Sequence, residues 1–188
     1  MSTQEIIYQK LESFVRKFYT NELIKGIIFF FGLGLLYLLF TLFIEYFLWL
    51  KPMGRTFLFW LIVLVELFLM VRLILFPIFK LVKLQNGMDY RQASDIIGRH
   101  FTEVGDKLTN FLQLAQNKEQ SELLLASIEQ KSFELQPIPF SNAVNFTTNK
   151  KYLPWAVLPL GCIFIFYVTG NGTILSQSLD RVVHFNTA

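Results

Sequence analysis

The sequence predicts an all-α membrane protein with three transmembrane helices, because three long apolar runs punctuate its 188 residues. The runs cover residues 27–44, 57–79 and 153–169. A helix needs about 20 apolar residues to cross the hydrocarbon core of a bilayer, with roughly 17 to 25 tolerated. A hydrophobic content of 53%, with 21 Phe, also exceeds that of an ordinary soluble domain. We therefore expect a membrane-embedded chain with one small helical insert between its second and third spans.

The distribution of basic residues predicts how the chain is oriented. Thirteen of the 17 Lys and Arg residues either precede the first run or lie between the second and third. On the other side lie only Lys51, Arg55 and Arg181, while Arg72 falls within the second run. Lys and Arg near span ends favour the cytoplasmic side. The pattern predicts a cytoplasmic N-terminus, a cytoplasmic insert and a C-terminus on the outer side.

Four aromatic residues are predicted to anchor the spans at the two membrane surfaces. Trp49 and Trp60 flank the turn between the first two runs, and Tyr152 and Trp155 open the third. Amphipathic rings prefer the headgroup region. The alternative is that Phe-rich runs simply contain some Trp and Tyr by composition.

The residues before the first span are predicted to form an amphipathic helix. Ser2 and Glu5 have the spacing of a capping box. Apolar residues then recur at helical spacing, at Ile7, Leu11, Phe14, Val15 and Phe18. A basic amphipathic helix beside a span usually lies in the membrane interface, so residues 1–22 are assigned there. Packing against the insert or against a partner is the alternative.

The rest of the chain divides into a helical hairpin (23–82), a cytoplasmic insert (83–150), a third transmembrane helix (151–171) and an outer segment (172–188). Glycines in the inner half of the first span offer a contact surface for the second span. In the outer segment, residues 180–185 resemble the start of a β-strand. A lone strand cannot pair its edge groups, so we expect the protein to continue beyond Ala188.

The insert is predicted to be a small helical bundle. Asp89 and Gln92 have the spacing to cap a first helix, Thr102 is the expected N-cap of a second, and a third covers about 119–134. The second helix carries an apolar face that we assign as a partner-docking surface, made of Val104, Leu108, Phe111 and Leu112. With so few apolar positions, the insert is expected to be only marginally stable by itself and to need contacts with the membrane or with a partner.

Three charged residues lie in or beside the apolar runs and are candidate intramembrane polar contacts. Glu66 falls near the middle of the second run, where a lone carboxylate is costly and often functional. It is either a proton or ion relay, with Arg72 as a possible companion, or a hydrogen-bonding partner of a neighbouring helix. Glu45 lies near the outer end of the first run, from where it could simply reach the interface instead.

No pattern predicts catalysis or cofactor binding. His100 and His184 are isolated from any cluster with metal-ligand spacing. The sequence contains no phosphate-binding loop, nucleophile elbow or zinc-protease pair. Acidic residues balance the basic ones in the insert, so nucleic acid is not an expected partner. We expect no enzyme activity, no cofactor and no metal site.

One stretch carries a family resemblance. The sequence IGRHFTEVGDKLTNFLQL at 97–114, with KLVKL at 80–84, resembles the N-terminal part of a large envelope protein of Bacteroidota, the family called domain of unknown function four-one-seven-five. The resemblance implies a bacterial inner-membrane protein with two spans, a cytoplasmic helical insert, a third span and a longer periplasmic part. That outer part would include β-sandwich-like and coiled-coil segments. The family supplies no catalytic residues.

The sequence thus favours a non-enzymatic anchor or scaffold subunit that links a cytoplasmic docking domain to a periplasmic assembly. Its expected partners are the lipid bilayer and other membrane or envelope proteins, in an oligomeric state that the sequence does not define. The alternative is a subunit of a transporter, secretion system or ion-driven machine that uses Glu66.

Overall fold

The computed structural model describes residues 3–116 and 121–184, and in these residues all regular structure is helical. The main helices are α1 (Thr3–Leu48), α2 (Pro52–Met70), α3 (Phe76–Leu81), α4 (Tyr90–His100), α5 (Thr102–Ala115), α6 (Glu122–Leu135), α7 (Leu153–Val168) and α8 (Gly172–Val183). A π-helical turn, Val71–Leu75, joins α2 to α3, and 3₁₀ helices occupy Phe140–Ala143 and Phe146–Tyr152. The predicted all-helical class is confirmed.

Three helical stretches are long and apolar enough to cross a membrane: Thr3–Leu48, Pro52–Leu81 and Phe140–Val168. They contain the first two apolar runs of the sequence and the third as far as Val168. The most apolar window of the second stretch has none of its residues buried inside the protein. An apolar surface of that kind suits contact with lipid, in which large side chains need no protein cover.

The chain forms two compact units. The first unit consists of Met1–Asn21 and Phe79–Phe146, and the second of Glu22–Ile78 and Thr147–Ala188. The insert and the first 21 residues therefore share one unit, where the sequence predicted separate segments at 1–22 and 83–150. The continuous helix α1 contributes its beginning to the first unit and the remainder to the second.

The first unit has its own apolar core, and α1 supplies part of it. Ile7, Leu11 and Phe14 are fully buried in one cluster with residues of α4, α5 and α6. Lysines beside this apolar face reach backbone carbonyls after α6: Lys10 donates to Gln136 and Ile138, and Lys17 donates to Ser141 at 2.8 Å. Gln136 directly follows the last turn of α6, where carbonyls lack intrahelical partners, so Lys10 supplies a donor there, whereas Lys17 is a second donor to a Ser141 carbonyl that also accepts from the N–H of Val144.

This packing corrects the assignment of residues 1–22 to the membrane interface. The apolar face is covered by the insert, which is the alternative that the sequence left open. The sequence predicted that the small insert needs apolar contacts with the membrane or with a partner. In the structure the beginning of α1 supplies such contacts. Ser2, of the predicted capping box, lies outside the described residues, as does position 119 at the predicted start of the third insert helix.

Of the predicted caps of the insert helices, one is confirmed and one is wrong, and α6 has a cap that the sequence did not predict. Asp89 caps α4, with Gln92 completing the capping box, and Ser121 caps α6 through the N–H of Leu124. Thr102 is the first residue of α5 rather than its cap, and Phe101 occupies the cap position. Gly98 of α4 and Gly105 of α5 meet backbone to backbone, since a Cβ built on Gly98 would lie 2.7 Å from the Cα of Gly105.

In the second unit, glycines of α1 allow the backbones of its neighbours to approach. A Cβ on Gly26 would collide with the carbonyl oxygen of Leu73, and a Cβ on Gly32 would lie 2.6 Å from the carbonyl oxygen of Trp155. Small residues permit this closeness in lipid, where van der Waals packing drives helix association. The glycines thus contact α7 as well as the second span for which they were predicted.

The C-terminal segment corrects a prediction. Residues 172–183 form helix α8, where the sequence was interpreted as leading into a β-strand over 180–185; Phe185 itself lies outside the described residues. Leu175, Ser178 and Val182 recur at helical spacing and are buried, the two apolar ones in a cluster with Leu39 and Leu42. A helix at this place buries its apolar side chains against the apolar surface of α1, and it satisfies the hydrogen bonds of its own backbone without a partner strand.

Candidate functional site

A buried charge cluster joins three helices of the second unit. Glu45, in the last turn of α1, is fully buried. One of its carboxylate oxygens, Oε1, lies 3.4 Å from Nε of Arg55 at the start of α2. The same oxygen lies 3.7 Å from a guanidinium nitrogen of Arg181 in the last turn of α8. One carboxylate therefore connects the end of α1 and the start of α2, on either side of the hairpin turn, to the helix that follows the third span.

The geometry of the cluster is that of ion pairs without aligned hydrogen bonds. Among the described residues, neither carboxylate oxygen of Glu45 nor Nε of Arg55 has a hydrogen-bond partner. The guanidinium of Arg181 also lies 4.7 Å from the ring centre of Trp49. A buried charge is costly and is destabilising to leave without its partner. Loss of either arginine would therefore leave the buried carboxylate with fewer compensating charges.

Glu45 was one of the three candidate polar contacts, and the structure gives it two arginine partners. Its side chain is fully buried between them, so it does not reach the interface as a simple surface residue would. The signal that could have found the cluster was the shared side: Arg55 and Arg181 are two of the three basic residues that the charge pattern places with the outer end of Glu45's helix.

Glu66 lies against a glycine rather than beside a cation. A Cβ built on Gly34 would be 2.8 Å from both carboxylate oxygens of Glu66. Within the part of the chain that the structure describes, no basic group lies within 4 Å of Glu66. Arg72 is exposed and its guanidinium lies 5.6 Å from the ring centre of Phe76. The two charges, six residues apart, are therefore separate features.

The predicted docking face is part of the core of the first unit. Val104, Leu108, Phe111 and Leu112 are all buried, with exposed fractions between 0% and 6%. They pack in the same cluster as the first turns of α1. A partner cannot reach these side chains in the folded chain, so their assignment as a docking surface is wrong. Large apolar side chains that do stay exposed in this unit include Leu123, Leu125 and Phe133 of α6.

The four predicted anchors lie on the surface or beside lysines. Trp49, Trp60 and Trp155 each leave half or more of their surface exposed. Tyr152 packs on Phe29, with 5.0 Å between ring centres, and the ammonium groups of Lys25 and Lys151 lie 5.6 and 4.9 Å from its ring centre. An aromatic ring with two lysines has the amphipathic character of a headgroup-level residue, and the anchoring role stays a prediction.

Neither of the two histidines, His100 and His184, lies in a metal-binding arrangement. His100 stacks edge-on against Phe101, and His184 lies 2.9 Å from the carboxylate of Asp180 on the same helix. Across residues 3–116 and 121–184, no group of three His, Cys, Asp or Glu could hold a metal ion. Cys162 is a free thiol in α7.

Comparisons with protein-family models, with curated proteins and with solved structures found no match for this chain. The resemblance of 97–114 to the Bacteroidota envelope family therefore stays a prediction.

Proposed function

We propose that the chain is a non-enzymatic anchor and scaffold subunit of the bacterial inner membrane. In this proposal the N-terminus and the first unit are cytoplasmic, and α8 lies on the periplasmic side. The excess of Lys and Arg around the first unit supports this orientation. The resemblance to the Bacteroidota family supports the bacterial envelope as its location.

The observation that carries the proposal is the division into two units with separate cores. One unit offers extensive apolar surface to lipid, and the other is a helical bundle with a mostly polar exterior. A membrane unit fused to an independently packed bundle is the arrangement expected of a subunit that holds another protein at a membrane. We assign the contact with such a partner to the exposed apolar side chains of α6, in place of the buried face of α5.

Affinity purification of the full tagged chain in mild detergent tests the proposal, with mass spectrometry of the recovered proteins. The wild type should recover a stoichiometric set of membrane or envelope proteins. The double variant Leu123→Ser, Phe133→Ser should lose at least one of them fivefold or more, because it removes exposed apolar contact area and leaves the core intact. The control Ala126→Ser, Gln130→Ser changes two exposed positions of the same helix and should behave as the wild type.

Two results would contradict the proposal. One is recovery of a homo-oligomer without companion proteins. The other is equal recovery of every companion from the α6 variant and the wild type, which would remove α6 as the contact.

The second candidate function is a subunit of a transporter, secretion system or ion-driven machine. It is favoured by one observation: the carboxylate of Glu66 lies in an apolar helix against Gly34, without a basic partner in the described chain. Ionisable residues in membrane spans commonly belong to proton or ion pathways. The anchor is preferred because a single carboxylate packed on a neighbouring helix also fits a structural contact.

A further inference from the structure

A cleft in the first unit, lined in part by charged and hydroxyl side chains, lies between the beginning of α1 and the segment that joins α3 to α4. Its volume is about 1080 Å³. The lining residues that matter here are Ser13, Arg16, Tyr19, Thr20, Lys80 and Lys83. Neither the charge cluster of Glu45 nor the contact surface of α6 belongs to this cleft.

The walls of the cleft are fixed by contacts within the unit. The hydroxyl of Tyr19 accepts a hydrogen bond of 2.6 Å from the N–H of Met88, which ties the connecting segment to α1. Gly87 approaches the same ring so closely that a Cβ there would lie 3.3 Å from the hydroxyl oxygen. Since Tyr19 accepts from the backbone, its own O–H stays able to donate to a ligand in the cleft.

The cations of the cleft exceed the carboxylates that could neutralise them. Of the two acidic residues in its lining, Glu12 pairs with Lys83 at 2.9 Å, and Asp89 accepts from the N–H of Tyr90 as the cap of α4. The hydrogen bond to Glu12 raises the pKa of Lys83, which keeps that ammonium charged. Arg16 attracts Glu12 only at longer range, and neither Arg16 nor Lys80 has a carboxylate within 4 Å among the described residues. Two positive charges are therefore available to an anion.

The hydroxyl groups suit the same class of ligand. Thr20 donates its hydroxyl proton to the carbonyl of Arg16 at 2.9 Å, which holds the side chain along α1. Ser13 lies exposed on the cleft wall two turns earlier. The ammonium of Lys80 lies 5.8 Å from the ring centre of Tyr19. A guanidinium, an ammonium and hydroxyl donors around one cleft match the oxygens of a phosphate ester.

Along the sequence, residues of this cleft border two of the apolar runs. Thr20 precedes the first apolar run, which begins at residue 27, by about 10 Å of helix. Lys80 directly follows the second apolar run, which ends at residue 79. Headgroups occupy the layer immediately outside the hydrocarbon core. Basic pockets in this layer on the cytoplasmic side bind anionic lipid headgroups in other membrane proteins.

We propose that this cleft binds the phosphate headgroup of an anionic phospholipid through Arg16 and Lys80. The ligand chemistry is a phosphate ester, and its source is the lipid bilayer that surrounds the adjacent spans. The proposal requires only that the two apolar runs enter a membrane, so it is independent of which protein partner the chain holds.

Native mass spectrometry of the full chain in a nonionic detergent tests the proposal, by titration with dioleoylphosphatidylglycerol and, separately, dioleoylphosphatidylcholine. The wild type should bind the anionic lipid more tightly, and the variant Arg16→Gln, Lys80→Gln should bind it roughly thirtyfold more weakly, at about fivefold for each basic residue lost. The control Arg91→Gln, Arg99→Gln removes two exposed charges of α4 that lie outside the cleft lining and should retain the wild-type affinity.

A second variant guards against a folding defect. The exchange Arg16→Lys, Lys80→Arg keeps both charges and should retain affinity within about threefold, whereas an unfolded cleft would lose it. Equal weakening in the cleft variant and the α4 control would overturn the proposal, since it would show attraction to overall charge. Equal binding of the two lipids would overturn it as well. Displacement of the lipid by millimolar inorganic phosphate would overturn the lipid source and assign the cleft to a soluble phosphate.

Discussion

At the scale of single residues, a proline and a glycine together set how the first two spans meet. Pro77 has no N–H and cannot bond to the carbonyl four residues earlier, that of Leu73. The helix adopts its π-helical turn at Val71–Leu75, just before this proline. The Leu73 carbonyl then lies where a side chain on Gly26 would be. Only glycine fits this approach, and a Cα–H group facing a carbonyl adds a weak attraction.

The residue-scale prediction concerns Glu66. We expect Glu66→Gln to leave insertion and the melting temperature of the purified chain unchanged within a few degrees, because the amide has the shape of the carboxylate and no ion pair is lost. Liposomes that contain the wild type or the variant should show the same proton permeability as empty liposomes, measured with an entrapped pH-sensitive dye. A proton leak that needs the wild-type carboxylate would contradict the anchor and support the ion-driven machine. Gln113→Glu, which adds a carboxylate at an exposed position of α5, is the control for nonspecific proton leak.

Residue types alone predicted some of these sites and missed others. The cap formed by Asp89 and Gln92 was predictable, because both partners lie within one helical turn. Residue spacing did not predict the burial of Glu45 in the same way, since one of its partners, Arg181, lies 136 positions later in the chain and only the shared side of the charges connects the two. Sequence spacing carries no information about contacts between helices so far apart.

At the scale of elements, the position of an apolar helical face decides its role. The face of α5 and the face of α1 were both visible in the sequence as apolar positions at helical spacing. Periodicity identifies such a face and does not identify what covers it. The two faces in fact cover each other, together with α4 and α6, so neither lies in the interface nor docks a partner. The same ambiguity applied to 172–183, where α1 provided a surface for a helix.

The element-scale prediction is that α1 is required for the insert to fold. Leu11→Asp places a carboxylate at a fully buried position and should destabilise the first unit by roughly 3 kcal/mol or more. Limited proteolysis of the full chain in detergent should then cleave within α4 to α6 at least tenfold faster. The control Gln9→Asp introduces the same charge at an exposed position of the same helix. Unchanged cleavage in the Leu11 variant would contradict this prediction and would favour the assignment of the beginning of α1 to the membrane interface.

At the scale of the whole molecule, composition determined more than any motif did. The three runs that can span a membrane are recognised from their length and apolar composition alone. Neither property depends on how the side chains pack, so the sequence was sufficient to predict them. The division into units could not be predicted as observed, because residues 1–21 join a bundle that begins nearly sixty positions later. The covalent order of the chain suggested an N-terminal segment and an insert, whereas burial of apolar area joined them.

Orientation is the central claim of the account, because the anchor needs its helical unit in the cytoplasm and α8 outside. The most direct measurement is cysteine labelling with a membrane-impermeant maleimide in spheroplasts, in a Cys162→Ala background that removes the one native thiol. Met53→Cys, between the first two spans, and Ser127→Cys, on α6, are both at exposed positions. The account predicts labelling of position 53 in intact spheroplasts and of position 127 only after lysis. Labelling of position 127 before lysis, with position 53 protected, would contradict it.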